Sequence, residues 1–419
     1  MMRICIVACV CLIWSGPARA DVVIDWNVIA AQAVSAGARP GPTPAFDFAM
    51  VHAAMHDAIQ AIDGRFEPYC AAIPNASGSR IAAAATAAHD VLVSLFPVQA
   101  GTLGPIYDNY LAGLGLTGDP GVLAGQRAAM CILNLRVGDG RFPSNPEVFL
   151  GGTGLGEWRP TSFLPGTPPV PVPMVTPWVG AVTPFTLKDP AQFRASPPPP
   201  HLTSGKYARD YNEVKALGGL INSARTPEQT DIGYFFADNS ILLWTRVLRT
   251  VTETYLDNVG DSARLFALAY MAIADAYITS WDSKRHWNFW RPITAIQQGD
   301  NDGNPDTTGD PTWQSLITTP SYPDYTSGAN NNSGAVTTIL ANVFGTDKVT
   351  FSMTSNTPQV VNKTRTYSRF SDAADDVVDA RVYLGIHLRF ADVVARRQGS
   401  HVANWAFSHF LRPIGKHKD

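Results

Sequence analysis

Apolar residues recur at intervals of three and four along most of the chain, and alternation at every second position is scarce. That period predicts helices rather than strands. Residues 44–62 (PAFDFAMVHAAMHDAIQAI), 79–96 (SRIAAAATAAHDVLVSLF) and 121–137 (GVLAGQRAAMCILNLRV) are alanine-rich segments of this kind, and alanine is the strongest helix former. Residues 262–284 (SARLFALAYMAIADAYITSWDSK) make a longer and more apolar stretch, expected as a central helix. Residues 373–407 read as one or two more helices, interrupted near Gly385 or Gly399. The expected fold class is all-α, a helical bundle.

Between the two helical halves, residues 158–200 are dense in proline, which prevents helix and favours extended backbone. A linker between domains is one reading. Trp158, Phe163, Trp178 and Phe185 favour the other, an internal strap packed across the helices. The organisation is then a targeting segment (1–20), an N-terminal helical region (21–157), the strap (158–200) and a C-terminal helical region (201–419).

The targeting segment changes the picture of where the chain works. Arg3 precedes an apolar run from Ile4 to Trp14, and Ala18-Arg19-Ala20 is a cleavage signal before Asp21, the features of a signal peptide. The expectation is an exported protein, periplasmic or extracellular, with no membrane span in the mature chain. Of five cysteines, only Cys70 and Cys131 lie beyond that segment; they form either one disulfide or two buried thiols. With 419 residues, 45% hydrophobic and 16% charged, a sizeable core is available, and a formal net charge of −3 argues against nucleic acid as partner.

Candidate chemistry falls in three places. In DSKRHWNFWRPITAI, Lys284 and Arg291 lie seven apart and face one side if the segment is helical; together they suit an oxyanion, though a shared solvated face explains them too. Pro292 bends or restarts the helix. In PDYTSGANNNSGA, Ser327 and Gly328 open a helix running toward Val343 and offer a hydroxyl and an amide to an anion; an ordinary cap by Thr326 or Ser327 is the alternative. In ARVYLGIHLRFAD, Arg381 and His387 are six apart, so they flank a site rather than share a stripe.

Taken in order, Lys-x6-Arg-Pro, Ser-Gly at a helix start and Arg-x5-His resemble the superfamily of vanadium-dependent haloperoxidases and type 2 phosphatidic acid phosphatases. The stretches DWNVIAAQAV, FAMVHAAMHDAIQAIDGRFEPY and GDNDGNPDTTGDPTWQSLITTPSYPDYTSGA look like its secreted bacterial haloperoxidase-like members, and the likeness runs roughly from Asp21 to Phe410. The resemblance implies that Lys284, Arg291 and Arg381 neutralise the oxygens of vanadate or phosphate, and that Ser327 and Gly328 hydrogen-bond them. It implies that His387 is the apical partner, coordinating the vanadium of vanadate or attacking phosphorus. The activity implied is oxidation of halide by hydrogen peroxide; the alternatives are a phosphatase acting on phosphate esters through His387, and a catalytically weak anion-binding relative. It also implies a homodimer.

The chain departs from the family's pattern twice. Ala329 stands where the family has its acid–base histidine, and the carboxylate expected four residues after the apical histidine falls on Ala391, with Asp392 one further on. Asp324, Asn330 or Asn331 offer hydrogen bonds in partial compensation, and His286 is a candidate stand-in for the missing histidine. Two other patterns have ligand and structural readings. His52 and His56 have zinc spacing without a third ligand, or simply pack. Asp300, Asp302, Asn304 and Asp306 suit calcium or an ordinary turn-rich loop.

Overall fold

Asn258, whose side chain accepts the Gly260 amide, starts a 29-residue helix, Val259–Trp287, that is buried almost without interruption from Ala263 to Trp281. A helix apolar on all faces must have partners all round, and the rest of the molecule supplies them. The computed structural model describes residues 21–70, 72–164 and 170–415. Among these residues the helices are α1 (Val22–Ala36), α2 (Pro44–Asp63), α3 (Arg80–Leu95), α4 (Ala100–Gly113), α5 (Gly121–Leu135), α6 (Gly205–Leu217), α7 (Pro227–Phe235), α8 (Ser240–Tyr255), the long helix as α9, α10 (Pro292–Gln297), α11 (Gly328–Phe344), α12 (Phe370–Tyr383) and α13 (Arg389–His409). Two antiparallel hairpins, β1 (Phe163–Leu164) with β2 (Val170–Pro171) and β3 (Phe351–Thr354) with β4 (Thr364–Tyr367), complete the regular structure. The fold is all-α.

Helix α9 joins two groups. It packs on α2, which with α1, α3 and α5 forms the N-terminal group, and on α11 and α13, which pack on each other and on α12. Helix α2 starts with Pro44 in its first turn and ends at Gly64 in the left-handed region, the usual asymmetry of helix ends. The pattern at 373–407 resolves into α12 and α13 with the break at Gly385, while α13 runs on through Gly399. Glycine is required at both positions: Gly385 has φ of 75°, and a Cβ on Gly399 would lie 2.0 Å from the Asn331 carbonyl oxygen of α11.

Residues of the proline-rich segment pack on α9. Asp275, fully buried on α9, accepts the amides of Phe185, Thr186 and Leu187 and the Thr186 hydroxyl. Burial raises its pKa despite these bonds. Arg194 clamps Asp282 through two hydrogen bonds. Gln398 ties three elements together: its amide donates to the Phe193 carbonyl and Ser283 Oγ, and its Oε1 accepts from Thr326 Oγ1.

Cys70 and Cys131, at a sequence separation of 61, form a disulfide, which in the chain-entropy picture stabilises by about 4 kcal/mol. His52 and His56 are packing residues. Asn27 Nδ2 lies 2.8 Å from His52 Nε2, the His52 ring stacks on Tyr270, and His56 Nε2 lies 3.0 Å from the Glu67 carbonyl. Burial lowers their pKa values to about 3 and about 4. In the acidic loop at 300–306 Asp302 and Asn304 are buried while Asp300 and Asp306 are exposed: Thr307 Oγ1 donates to both oxygens of Asp302, and Asp300 accepts the Gly309 amide. Among the described residues no group of three or more His, Cys, Asp or Glu is placed to hold a metal ion, so calcium finds no support. Nor is any single described helix long and apolar enough to cross a membrane. The targeting segment lies outside the described residues.

Candidate active site

Lys284 and Arg291 meet, but not along a helix. Helix α9 ends at Trp287; Asn288 turns left-handed (φ 44°), and Arg291 is the N-cap of α10, which restarts at Pro292. The turn, rather than a two-turn stripe, brings Arg291 back beside Lys284. Both side chains are fully buried. Lys284 Nζ donates to the carbonyls of Pro323 (2.6 Å) and Asp324 (3.2 Å), and Arg291 Nε donates to that of Tyr322 (2.7 Å). The Tyr322 ring lies 4.7 Å from each of the two cations, close enough for cation–π attraction.

Helix α11 begins at Gly328 with Ser327 as its N-cap, yet the Ser327 hydroxyl makes no capping bond. It lies 3.4 Å from Asn330 Nδ2 instead. The Ser327 amide donates to the Ala391 carbonyl, which fixes the start of α11 against that of α13. The first-turn amides of Gly328, Ala329 and Asn330 have no carbonyl within the helix to bond, which makes this end suited to an anion. Gly328 is closely hemmed: a Cβ there would lie 3.1 Å from Trp281 and 3.3 Å from Tyr277.

Arg381 comes from the last turn of α12 and His387 from the loop after Gly385. His387 faces Arg291, whose Nη1 is 3.2 Å from its Nε2, and Asp324, whose Oδ1 is 2.6 Å from its Nδ1. Burial, then the charges of Arg291, Lys284 and Arg381, hold its pKa well below the usual imidazole range, so the ring is neutral. Lys284 is likewise pushed well down, by burial and then by Arg291. Burial is also the main cause that raises Asp324 to about 7 and Asp392 well above the usual carboxylate range, the latter helped by Asp324.

The six residues read from the sequence thus form one buried cluster. Its fit to an oxyanion rests on donors left over: Arg291 Nη2 and Arg381 Nε are buried and find no acceptor among the described residues. An unmatched charged donor costs more than an average hydrogen bond contributes, and an anion's oxygens would match both. Lys284, Arg291 and Arg381 face two carboxylates, Asp324 and Asp392, so one positive charge remains in excess when all five groups are ionised.

The structure also corrects and extends the reading. His286 is exposed and cannot stand in for the histidine missing at Ala329. Ala329 packs against the apolar core. Asp392 accepts from Asn330 Nδ2 (2.8 Å) rather than from His387. Tyr322 carries no sequence motif, being a tyrosine in a turn-rich loop, and only the structure reveals its part. The open clefts of about 780 Å³ (beside Asp25, Glu253 and Asp257) and about 370 Å³ (beside Lys215 and Trp313) lie elsewhere.

A family model, the VCPO second helical-bundle domain, matches residues 264–416, which contain the whole cluster. The chain is 29% identical over 368 residues to the vanadium chloroperoxidase of Curvularia inaequalis, a match spanning 70% of this chain and 60% of that enzyme's length. Among solved structures, a bacterial vanadium-dependent iodoperoxidase superposes with a TM-score of 0.78 at 23% identity, covering 95% of this chain and 97% of that one. An apo-type bacterial vanadium-dependent chloroperoxidase gives 0.67 at 18% identity, covering 87% and 93%. At these identities the structural likeness is one of fold.

Proposed function

We propose that this chain, a member of the vanadium haloperoxidase superfamily, is an oxidoreductase that oxidises halide with hydrogen peroxide at a vanadate held by His387. The observation that carries the reading is the pair of unmatched buried donors, Arg291 Nη2 and Arg381 Nε, beside a neutral imidazole. Lys284, Arg291 and Arg381 would neutralise the oxygens, Ser327 Oγ and the Gly328 amide would hydrogen-bond them, and His387 Nε2 would provide the nitrogen in line. Bound vanadate would supply the centre at which peroxide is activated for transfer of an oxygen to halide. The overall change, halide plus hydrogen peroxide plus a proton giving hypohalous acid and water, needs no alkoxide leaving group to be protonated. Ala329 is therefore less damaging here than in a phosphatase, where a general acid is worth about 10²–10⁴ in rate.

Export through residues 1–20 and pairing as a homodimer belong to this proposal; the Cys70–Cys131 disulfide accords with an oxidising compartment. The test runs two assays side by side, oxidation of bromide or iodide with and without added orthovanadate, and hydrolysis of p-nitrophenyl phosphate. Vanadate-dependent oxidation is the expected result. Ester hydrolysis that vanadate merely inhibits, with no oxidation, would replace this reading with the phosphatase.

A further inference from the structure

Ser327 and Gly328 are placed by their neighbours rather than by a cap of their own, since the Ser327 hydroxyl makes no capping bond. The groups that hold this stretch meet at Thr326. Its carbonyl accepts from Ser280 Oγ of α9 (3.1 Å), and Asn331 Nδ2 donates to its hydroxyl (3.0 Å) and to the Ser327 carbonyl (3.1 Å). A third tie comes from α13. Gln398 Nε2 donates to the Phe193 carbonyl (2.8 Å) and to Ser283 Oγ (2.9 Å), and its Oε1 accepts from the Thr326 hydroxyl (2.7 Å). Chemistry fixes the direction of each bond: a backbone carbonyl only accepts, so Nε2 faces Phe193 and Oε1 is left for Thr326. With its hydrogen committed to Oε1, Thr326 Oγ1 keeps a lone pair for Asn331. Ser283 Oγ is equally committed, donating to the Thr279 carbonyl (2.8 Å) and accepting the Ala195 amide (3.0 Å) besides Gln398. All three side chains are buried, and none of their polar atoms lacks a partner. Ser283 precedes Lys284 and Thr326 precedes Ser327, so one amide spans the neighbours of a pocket cation and of the pocket hydroxyl.

We propose that Gln398 is the positioning residue of the Ser327-Gly328 pair, setting its place relative to Lys284 through the Thr326 hydroxyl. The consequence for anion affinity rests on the oxyanion reading above; the hydrogen bonds do not. The competing role is plain structural cohesion, since the same amide joins α13 to the proline-rich segment at Phe193. The two roles diverge in the folded protein. Loss of cohesion alone lowers stability and leaves the affinity of the folded molecule unchanged. Loss of positioning weakens every oxyanion held by the Ser327 hydroxyl and the Gly328 amide. An amide carries no charge, so its removal leaves the electrostatics of the pocket's ionised groups in place, and a change in affinity reports placement.

The experiment uses the full mature chain and compares Gln398→Met, Thr326→Val, their double variant, and Thr326→Ser, which keeps the hydroxyl. Calorimetric titration with orthovanadate and with inorganic phosphate should show both anions weakened about tenfold in Gln398→Met and in Thr326→Val. The double variant should bind no more weakly than Gln398→Met alone, because both substitutions remove the same bond. Thr326→Ser should bind as the wild type does. Amide ¹H–¹⁵N spectra should show the Ser327 and Gly328 resonances shifted in Gln398→Met and Thr326→Val and restored in Thr326→Ser. Undiminished affinity or unmoved resonances in a natively folded Gln398→Met, losses that add in the double variant, or a Thr326→Ser as weak as Thr326→Val would overturn the assignment. If Gln398→Met does not fold, the contrast between Thr326→Val and Thr326→Ser decides. A wild type that binds neither anion would sink the oxyanion reading, while the two resonances would still decide whether Gln398 places the pair.

Discussion

Arg381 shows most plainly how single residues shape this pocket. Its Nε has no acceptor among the described residues, and burial lowers its pKa from the usual guanidinium value; on the proposed reading, a bound anion would offset the cost of placing it here. Arg381→Ala is expected to weaken orthovanadate binding at least tenfold, about 1.4 kcal/mol, with an unchanged circular-dichroism spectrum; full-strength binding would remove Arg381 from the site. A second residue tests burial itself. His52 is fully buried and neutral, its pKa lowered to about 3, chiefly by burial, against an unfolded value near 6.5. The unfolded chain binds the extra proton below pH 6.5, so this contribution to stability is present above 6.5 and is lost on acidification. Between pH 6.5 and 4.5 the wild type should lose about 2 kcal/mol relative to His52→Gln in urea unfolding. A parallel pH dependence in both proteins would mean that His52 is not held neutral. At this scale the sequence reveals the conspicuous residue types, Lys284, Arg291 and His387. Tyr322 escapes it because its part is played mainly by a backbone carbonyl and a ring face, and no spacing rule announces either.

Among the elements, legibility follows period and length. Helices α2, α3, α5 and α9 are readable because an apolar repeat of three and four, sustained over four turns or more, matches the helical period and not the strand's. The turn at Asn288 is not, since a left-handed asparagine is a tertiary choice, and the expected two-turn stripe from Lys284 to Arg291 fails with it. Gly385 and Gly399 look alike in sequence but serve different ends. The first permits a positive φ between α12 and α13; the second removes a side chain where α13 crosses α11. That crossing sets the Asn330–Asp392 hydrogen bond. Gly399→Ala should therefore cost about 1–3 kcal/mol of stability by overpacking and weaken anion binding as well. Wild-type behaviour on both counts would show that the two helices can separate without disturbing the pocket.

For the whole molecule, the cluster draws on α9, the start of α10, the entry to α11, the end of α12 and the loop before α13. Binding there should couple to global stability. An anion that binds only the folded state adds about 2.7 kcal/mol at a hundredfold excess over its Kd, so orthovanadate should raise Tm by several degrees in the wild type. The disulfide works from the other side of α9, joining the segment after α2 to α5; its reduction should lower Tm without changing anion affinity. The overall arrangement is predictable from sequence only as a class. An apolar helix demands neighbours, but which helices supply them depends on contacts far apart in sequence, such as α2 on α9. The central claim, that these five elements build one oxyanion site serving peroxidase chemistry, is tested most directly by titrating orthovanadate into a peroxide-driven bromide and iodide oxidation assay, with His387→Ala alongside. Saturable, vanadate-dependent turnover in the wild type that vanishes in His387→Ala is the predicted result. Turnover indifferent to vanadate, or surviving in His387→Ala, would contradict it.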